Sequence, residues 1–250
     1  MPSTFGREND VVVFKRMLGG FGAGGPAADT VLTTPRIQPG GTLSGEVRLA
    51  GGDFDAEIQH IALELVAQVE IERGAGAGEF SRTQVAGPFV LRRGENRSVL
   101  FSIPVPWETP ISEIFGRHLP GMALGVRTEV AAADAVHRGE PDLVAVVPLP
   151  SQLRVLQAFP QLGFHFTTAD LQAGHLDGVR QDLPFHQAIE LARGHGAVWL
   201  SFVAGPYGIE VVVEAGKRAG RFSAGHDEAL RTDWPGEIDR WLAGLTCGDS

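Results

Sequence analysis

Cysteine is almost absent from this 250-residue sequence, and basic residues are outnumbered by acidic ones. Cys247 is the sole cysteine, so no disulfide can form within the chain, which is consistent with a reducing cytoplasm. Lysine and arginine together number 21 against 30 aspartate and glutamate residues, which gives a net charge of −9. This balance argues against a nucleic-acid-binding surface, which needs a basic stripe, and against attraction to anionic lipid.

Long apolar runs are also missing. Near the N-terminus the sequence offers only Val11 to Phe14, which is too short for the core of a signal peptide. No stretch approaches the roughly 18–20 consecutive apolar residues of a membrane-spanning helix. We therefore expect a cytoplasmic protein without an integral membrane segment.

The apolar residues alternate with polar ones over long stretches. Between Ile61 and Ile71 an apolar side chain stands at every odd position, and polar residues such as Glu64 take several even positions. Because successive side chains of a strand point to opposite faces, this pattern predicts a long strand with one buried and one solvent-exposed face. The same alternation recurs at 43–49 and 99–105. Strands of this kind bury their apolar faces by packing sheet on sheet.

Turn residues divide the chain into many short strands, which is typical of β-sandwiches. We predict strands at 29–34, 41–49, 57–71, 79–91, 97–105, 125–132, 143–148, 162–168, 185–191, 197–203 and 209–213, with a loop over 107–120. We predict helices at 11–21, at 151–159 with Ser151 as the N-cap and Pro160 as the stop, and at about 235–245. The fold class is all-β, with two tandem antiparallel β-sandwich domains and short helices at the N-terminus, the domain junction and the C-terminus.

The proline-rich segment Pro148-Leu149-Pro150 is the predicted domain boundary. Residues 1–28 then form an N-terminal helix with a glycine-rich hinge, and residues 29–149 form the first sandwich. Residues 150–250 form the second sandwich with its C-terminal helix.

The two terminal helices each carry an apolar stripe at helical spacing. The default role of such a stripe is packing on the protein's own strands, because isolated helices this short are unstable. The alternative is contact with a partner protein, and tryptophan is favoured at such interfaces. The candidate partner-binding residues are Phe14, Lys15, Arg16, Met17, Leu18, Phe21, Trp234, Ile238, Trp241 and Leu245.

Motifs that suggest enzyme chemistry have simpler interpretations. Residues 20–25 match the G-x-G-x-x-G string, but a dinucleotide site needs that string between a strand and a helix, so we interpret it as a hinge. We interpret the glycine-rich segment 74–78 as a turn or loop between strands. His186 and Glu190 lie four residues apart in a predicted strand, which separates them too far for a metal site. We predict no catalytic residues, cofactor or metal.

Two N-terminal passages carry a family resemblance. The first is Val13-Phe14-Lys15-Arg16-Met17-Leu18 followed by Gly22 and Asp29-Thr30-Val31-Leu32. The second is Pro39-Gly40-Gly41 with Gly45-Glu46-Val47, the turn Gly51-Gly52, and the strand from Ile58 to Leu65. Together they resemble the bacterial sporulation-control protein M (SpoOM) family, and the Pro-Gly turn is similar to arrestin N-terminal domains.

The resemblance implies two arrestin-like sandwiches and a cytoplasmic, non-enzymatic scaffold. It implies that the protein influences sporulation or the cell cycle by binding other proteins, such as those of the division or cytoskeletal machinery. Two alternatives stay open: a metal-dependent enzyme on a β-sandwich, and a structural protein that self-assembles through free strand edges.

Overall fold

The computed structural model of the chain describes residues 24–71, 74–132, 135–194 and 196–246. The strands are β1 (Ala27–Leu32), β2 (Arg36–Ile37), β3 (Thr42–Ala50), β4 (Ala56–Ile71), β5 (Gly74–Ala86), β6 (Phe89–Leu91), β7 (Asn96–Pro104), β8 (Glu113–Ile114), β9 (Arg117–His118), β10 (Leu124–Ala132), β11 (Ala135–Arg138), β12 (Asp142–Leu143), β13 (Ala145–Val146), β14 (His165–Ala173), β15 (Phe185–Arg193), β16 (Gly196–Ala204), β17 (Gly208–Ala215) and β18 (Arg218–Gly225). The helices are α1 (Pro150–Gln161), α2 (His226–Arg231) and α3 (Trp234–Thr246). The predicted all-β class is confirmed.

An apolar core lies between two sheets of the N-terminal part, which we define as residues 27–149. One sheet has the strand order β1-β3-β7, and the other places β5, β4, β10 and β11 side by side, with antiparallel pairing throughout. Leu43 and Val47 of β3 are buried, as are Ile61 and Leu63 of β4, and all four belong to one apolar cluster. The alternating pattern of the sequence thus builds two layers with a shared interior.

Strand β4 departs from the prediction on its second face. The even-numbered residues Ala62, Glu64 and Val66 are buried together with their odd-numbered neighbours. The prediction of a solvent-exposed second face is therefore wrong for this part of β4. For Glu64 the reason is that arginine side chains from β5, β10 and β11 cover the carboxylate.

Strand β4 also reaches the C-terminal part, which we define as residues 150–246. Past Ala67, where β4 stops pairing with β10, Glu70 of β4 pairs in parallel with Gln172 of β14. From there the sheet continues in the order β14-β15-β16-β17-β18, each neighbouring pair antiparallel. Leu156 of α1, Ala229 of α2 and Ile238 of α3 are buried in the same apolar cluster as the strands. The placement of domain boundaries at 28 and 149 stays a prediction.

Direct hydrogen bonds join the two parts of the chain. The Ile111 amide N–H donates to Gln187 Oε1 at 3.0 Å, and Gln187 Nε2 donates to the Ile111 carbonyl at 2.6 Å. The Glu108 carboxylate accepts from the amides of Asp182 and Leu183, each at 2.8 Å. These bonds satisfy polar groups at the junction, several of them buried.

The start of α1 differs from the prediction by two residues. Leu149 is the N-cap and Pro150 occupies the first helical position, which suits a residue with a fixed φ and no N–H. Ser151 is therefore inside the helix rather than its cap. The Gln152 side chain accepts from the Leu149 amide at 2.9 Å instead. The helix runs one residue past Pro160 before Gly163, at φ +83°, turns the chain.

Several elements were wrong or missing in the sequence-based assignment. Residues 74–78 lie in β5, where their backbone pairs with β4, so the turn interpretation is wrong. Residues 107–120 contain the β8–β9 hairpin, and the strand predicted over 79–91 is broken at Gly87-Pro88. The strand predicted from residue 162 begins at His165. Strand β18 and helix α2 were not predicted, because residues 218–231 lack a sustained apolar period.

Candidate functional site

A cluster of charged side chains lies on the second face of the β5-β4-β10-β11 sheet. The strand register places Arg82 of β5 and Arg127 of β10 on either side of Glu64 of β4. The same register pairs Glu129 of β10 with Arg138 of β11. Because paired residues point to one face, the five charges converge. We call these five residues the charge network.

Hydrogen bonds connect the arginines of the charge network to both of its carboxylates. Arg127 Nε donates to Glu64 Oε2 at 2.6 Å, and Arg138 Nε lies 3.3 Å from Glu64 Oε1. Arg138 Nη2 and Arg82 Nη2 each lie 2.5 Å from an oxygen of Glu129. His60 Nε2 also lies 3.0 Å from Glu129 Oε1. Each carboxylate thus receives at least two charge-assisted hydrogen bonds.

Burial and hydrogen bonding shift the pKa of Glu129 in opposite directions. Its side chain is 3% exposed, and burial alone raises the pKa of a carboxyl group. Hydrogen bonds from Arg82 and His60 outweigh that effect and hold the pKa of Glu129 at about 2. The same pairing raises the pKa of the Arg82 guanidinium. At neutral pH Glu129 is therefore ionised and cannot act as a general acid.

Acid is expected to destabilise the protein through Glu129. Because its folded-state pKa is lowered from 4.5 to about 2, its contribution is present above about pH 4.5 and is lost as the pH falls toward 2. We expect the melting temperature to fall over this interval and Glu129→Gln to flatten the profile. Thermal unfolding followed by circular dichroism measures both, with Glu57→Gln on the exposed part of β4 as the control. A Glu129→Gln profile as steep as that of the wild type contradicts the prediction.

A groove of about 740 Å³ lies where the two parts of the chain meet. Its wall from the N-terminal part is the segment 106–108, which follows β7. Its walls from the C-terminal part are residues of the β14–β15 loop, the β16–β17 hairpin and the end of β18. We call this site the junction groove. This volume lies within the range of pockets that bind small-molecule ligands, about 300–1,000 Å³.

Two aromatic side chains line the junction groove. Tyr207, at the tip of the β16–β17 hairpin, is 90% exposed. Trp107 is half-buried, and its ring lies against Gly40, where an added Cβ atom would come within 2.4 Å of the indole. Gly40 also has φ +70°, which favours glycine. The Trp107 ring further packs on His226 at a centroid distance of 5.8 Å.

His226 links the groove to α1. Its Nε2 donates to the Gly205 carbonyl at 2.8 Å, and its Nδ1 forms a hydrogen bond with the Ser151 hydroxyl at 2.9 Å. These bonds fix the imidazole, which in turn fixes the Trp107 ring. The Ser151–His226 pair resembles part of a nucleophilic site, but a carbonyl rather than a carboxylate orients the histidine.

The polar lining of the junction groove is mainly acidic. Glu108, Asp182 and Glu210 contribute three carboxylates, and Arg180 contributes one guanidinium. Glu108 is held by backbone amides, and Glu210 accepts from the Ser223 hydroxyl at 2.6 Å. The carboxylates are thus positioned by the fold, and the formal charge of this lining is −2.

The binding residues predicted from the sequence differ in burial, and some of them lie outside the described part of the chain. Phe14, Lys15, Arg16, Met17, Leu18 and Phe21 lie outside the described residues. Trp234 and Ile238 are buried at 2% and 0% exposure, and Trp241 is half-buried. Leu245 lies in α3, and its side chain is outside what the structure describes. A partner-binding role for these residues stays a prediction.

Neither Trp107 nor Tyr207 is among the binding residues predicted from the sequence. The available signal was the turn Gly205-Pro206-Tyr207-Gly208, which places the chain's one tyrosine where a hairpin tip exposes it. His186 and Glu190 both lie on β15 as predicted, and the described residues contain no cluster of three potential metal ligands. Among the described helices, none has the length and apolar character needed to span a bilayer.

Comparison with known proteins identifies the family. The family described as SpoOM protein matches residues 14–219. The chain belongs to the SpoOM family. This membership confirms the resemblance that the N-terminal motifs indicated.

A curated sequence and a solved structure, both of Spo0M from Bacillus subtilis, are similar to the chain. The sporulation-control protein spo0M of Bacillus subtilis (strain 168) is 25% identical over 217 residues, which cover 82% of this chain and 81% of that protein. The crystal structure of Spo0M, sporulation control protein, from Bacillus subtilis superposes with a TM-score of 0.76 at 22% identity. It covers 89% of this chain and 99% of that chain. The superposition supports the same fold for both proteins.

Proposed function

We propose that this SpoOM family member acts in sporulation control as a non-enzymatic scaffold that binds other proteins at the junction groove. The family and the name of its Bacillus subtilis relative support the sporulation role. The cytoplasmic location and the partners from the division machinery implied by the resemblance stay predictions.

The observation that carries the proposal is the exposure of Tyr207 beside the junction groove. A tyrosine that is 90% exposed buries little apolar area in the isolated protein. Tyrosine and tryptophan dominate the binding energy of protein interfaces because each buries a large, rigid surface. Trp107 lines the same groove from the other part of the chain, so a partner would contact both aromatic rings.

The charge network supports a scaffold rather than an enzyme. Glu64 is fully buried, and Glu129 is nearly so. Both carboxylates are occupied by guanidinium groups, and the pKa of Glu129 lies far below neutrality. Such groups stabilise the pairing of β4 with its neighbours, and Glu129, with its lowered pKa, has no proton to exchange at neutral pH.

Site-specific photo-crosslinking in the native host tests the proposed site. We expect p-benzoylphenylalanine at position 207 to give a discrete crosslinked product with another protein. The matched control carries the same group at position 100, where Leu100 is 79% exposed on β7 away from the groove. Equal products from both positions, or none from position 207, contradict the proposal.

The sporulation role has its own readout. Tyr207→Ala is expected to change the heat-resistant spore count of the native host in the same direction as deletion of the protein. Leu100→Ala is expected to leave the count unchanged. A Tyr207→Ala strain with the wild-type spore count would show that the junction groove is not needed for sporulation control.

A further inference from the structure

We propose that the junction groove binds an extended, proline-containing basic segment of a partner protein. The inference rests on the proposed scaffold function and adds the chemistry of the segment that is bound. It follows from the rings, the rigidity and the charge of the groove.

The rings of the junction groove suit a polyproline II segment. Such segments dock into grooves lined by aromatic side chains, because the proline rings stack on flat aromatic faces. Trp107 and Tyr207 supply aromatic rings to the groove lining from two separate parts of the chain, and each follows a proline, Pro106 or Pro206. A helical partner would instead need an aliphatic groove for side chains spaced i, i+3 and i+4.

The groove is held in place before any partner arrives. Gly40 and His226 both pack against the Trp107 ring. The hairpin that carries Tyr207 is closed by the Gly205 amide, which donates to the Gly208 carbonyl at 2.9 Å. Preorganised surfaces lose less conformational freedom on binding. A polyproline segment is also rigid in the free state, so the two surfaces suit each other.

The charge of the junction groove selects a basic segment. Its lining carries three carboxylates against the single guanidinium of Arg180. Glu108 and Glu210 are held by the hydrogen bonds described above, and each carboxylate oxygen has two lone pairs, so both can accept further bonds from arginine or lysine. The net charge of −9 on the whole chain adds long-range attraction for a basic partner.

Fluorescence polarisation with synthetic peptides tests this inference on the full-length protein. The probe is a fluorescein-labelled decapeptide with two Pro-x-x-Pro repeats and an arginine at each end. One comparison peptide replaces the prolines with alanine, and a second replaces the arginines with glutamate. We expect the probe to bind at least about tenfold more tightly than either comparison peptide, which corresponds to loss of one hot-spot contact.

Two protein variants locate the binding. Tyr207→Ala is expected to weaken binding of the probe at least about tenfold while keeping the wild-type melting temperature, because Tyr207 is exposed. Leu100→Ala is expected to bind the probe as the wild type does. Raising the salt concentration is expected to weaken binding through charge screening.

Three results overturn the inference: equal binding of the alanine peptide, tighter binding of the glutamate peptide, or full binding by Tyr207→Ala. Tighter binding of the glutamate peptide would assign the groove to acidic segments held by Arg180. If crosslinking from position 207 succeeds while the proline peptide fails, the scaffold function stands and the inference about its partner is wrong. If both fail, the proposed site itself is wrong.

Discussion

Replacing Trp234 with alanine is expected to lower the free energy of unfolding by about 4 kcal/mol. The side chain is 2% exposed, packs edge-on against Phe222 at 6.1 Å and donates from Nε1 to the Ala229 carbonyl at 2.8 Å. Alanine leaves a cavity at the start of α3 and removes the indole donor of the Ala229 carbonyl in α2. Chemical denaturation followed by circular dichroism measures the loss.

Trp234→Phe is the matched variant. It keeps the ring beside Phe222 and loses one hydrogen bond, so we expect a loss of about 1–2 kcal/mol. If Trp234→Ala instead keeps full stability and abolishes partner binding, the partner-binding interpretation of α3 is correct and the core interpretation is wrong.

Replacing Glu64 with glutamine is expected to lower the free energy of unfolding by about 3 kcal/mol. Glu64 is fully buried, and its neutralisation leaves Arg127 and Arg138 without their shared anion. This loss of stability is at the lower end of the range for breaking a buried ion pair, because Arg138 is 51% exposed and can turn toward water.

Glu57→Gln on the same strand is the control, because Glu57 is exposed. We expect it to change stability by less than about 0.5 kcal/mol. The same denaturation measurement applies to both variants. Equal stability for Glu64→Gln and Glu57→Gln would mean that the charge network does not stabilise the sheet.

The sequence predicted β4 well but not the environment of Glu64. Alternation between Ile61 and Ile71 identifies the strand, because period two is a property of the local sequence. Burial of Glu64 depends on arginines that come 18, 63 and 74 residues later and become its neighbours only through strand register. A polar residue in an alternating strand therefore identifies which residues share the second face of the strand. It does not show whether side chains from other strands bury that face.

The junction groove was beyond sequence reasoning for the same reason. Trp107 and Tyr207 are separated by 100 residues and come to line one site only after the two parts of the chain associate. The terminal helix α3 was predictable, because its apolar spacing is local. Residues 74–78 were assigned wrongly, because glycine carries no side-chain pattern and its pairing with β4 is a backbone property.

Glu108 both joins the two parts of the chain and lines the junction groove. Its carboxylate accepts from the amides of Asp182 and Leu183, and it also forms part of the groove wall. Because one carboxylate serves both roles, the orientation of the two parts of the chain and the width of the junction groove depend on the same hydrogen bonds. A basic group that competes for this carboxylate would weaken its bonds to the Asp182 and Leu183 amides, so ligand occupancy and the placement of the two parts are thermodynamically linked.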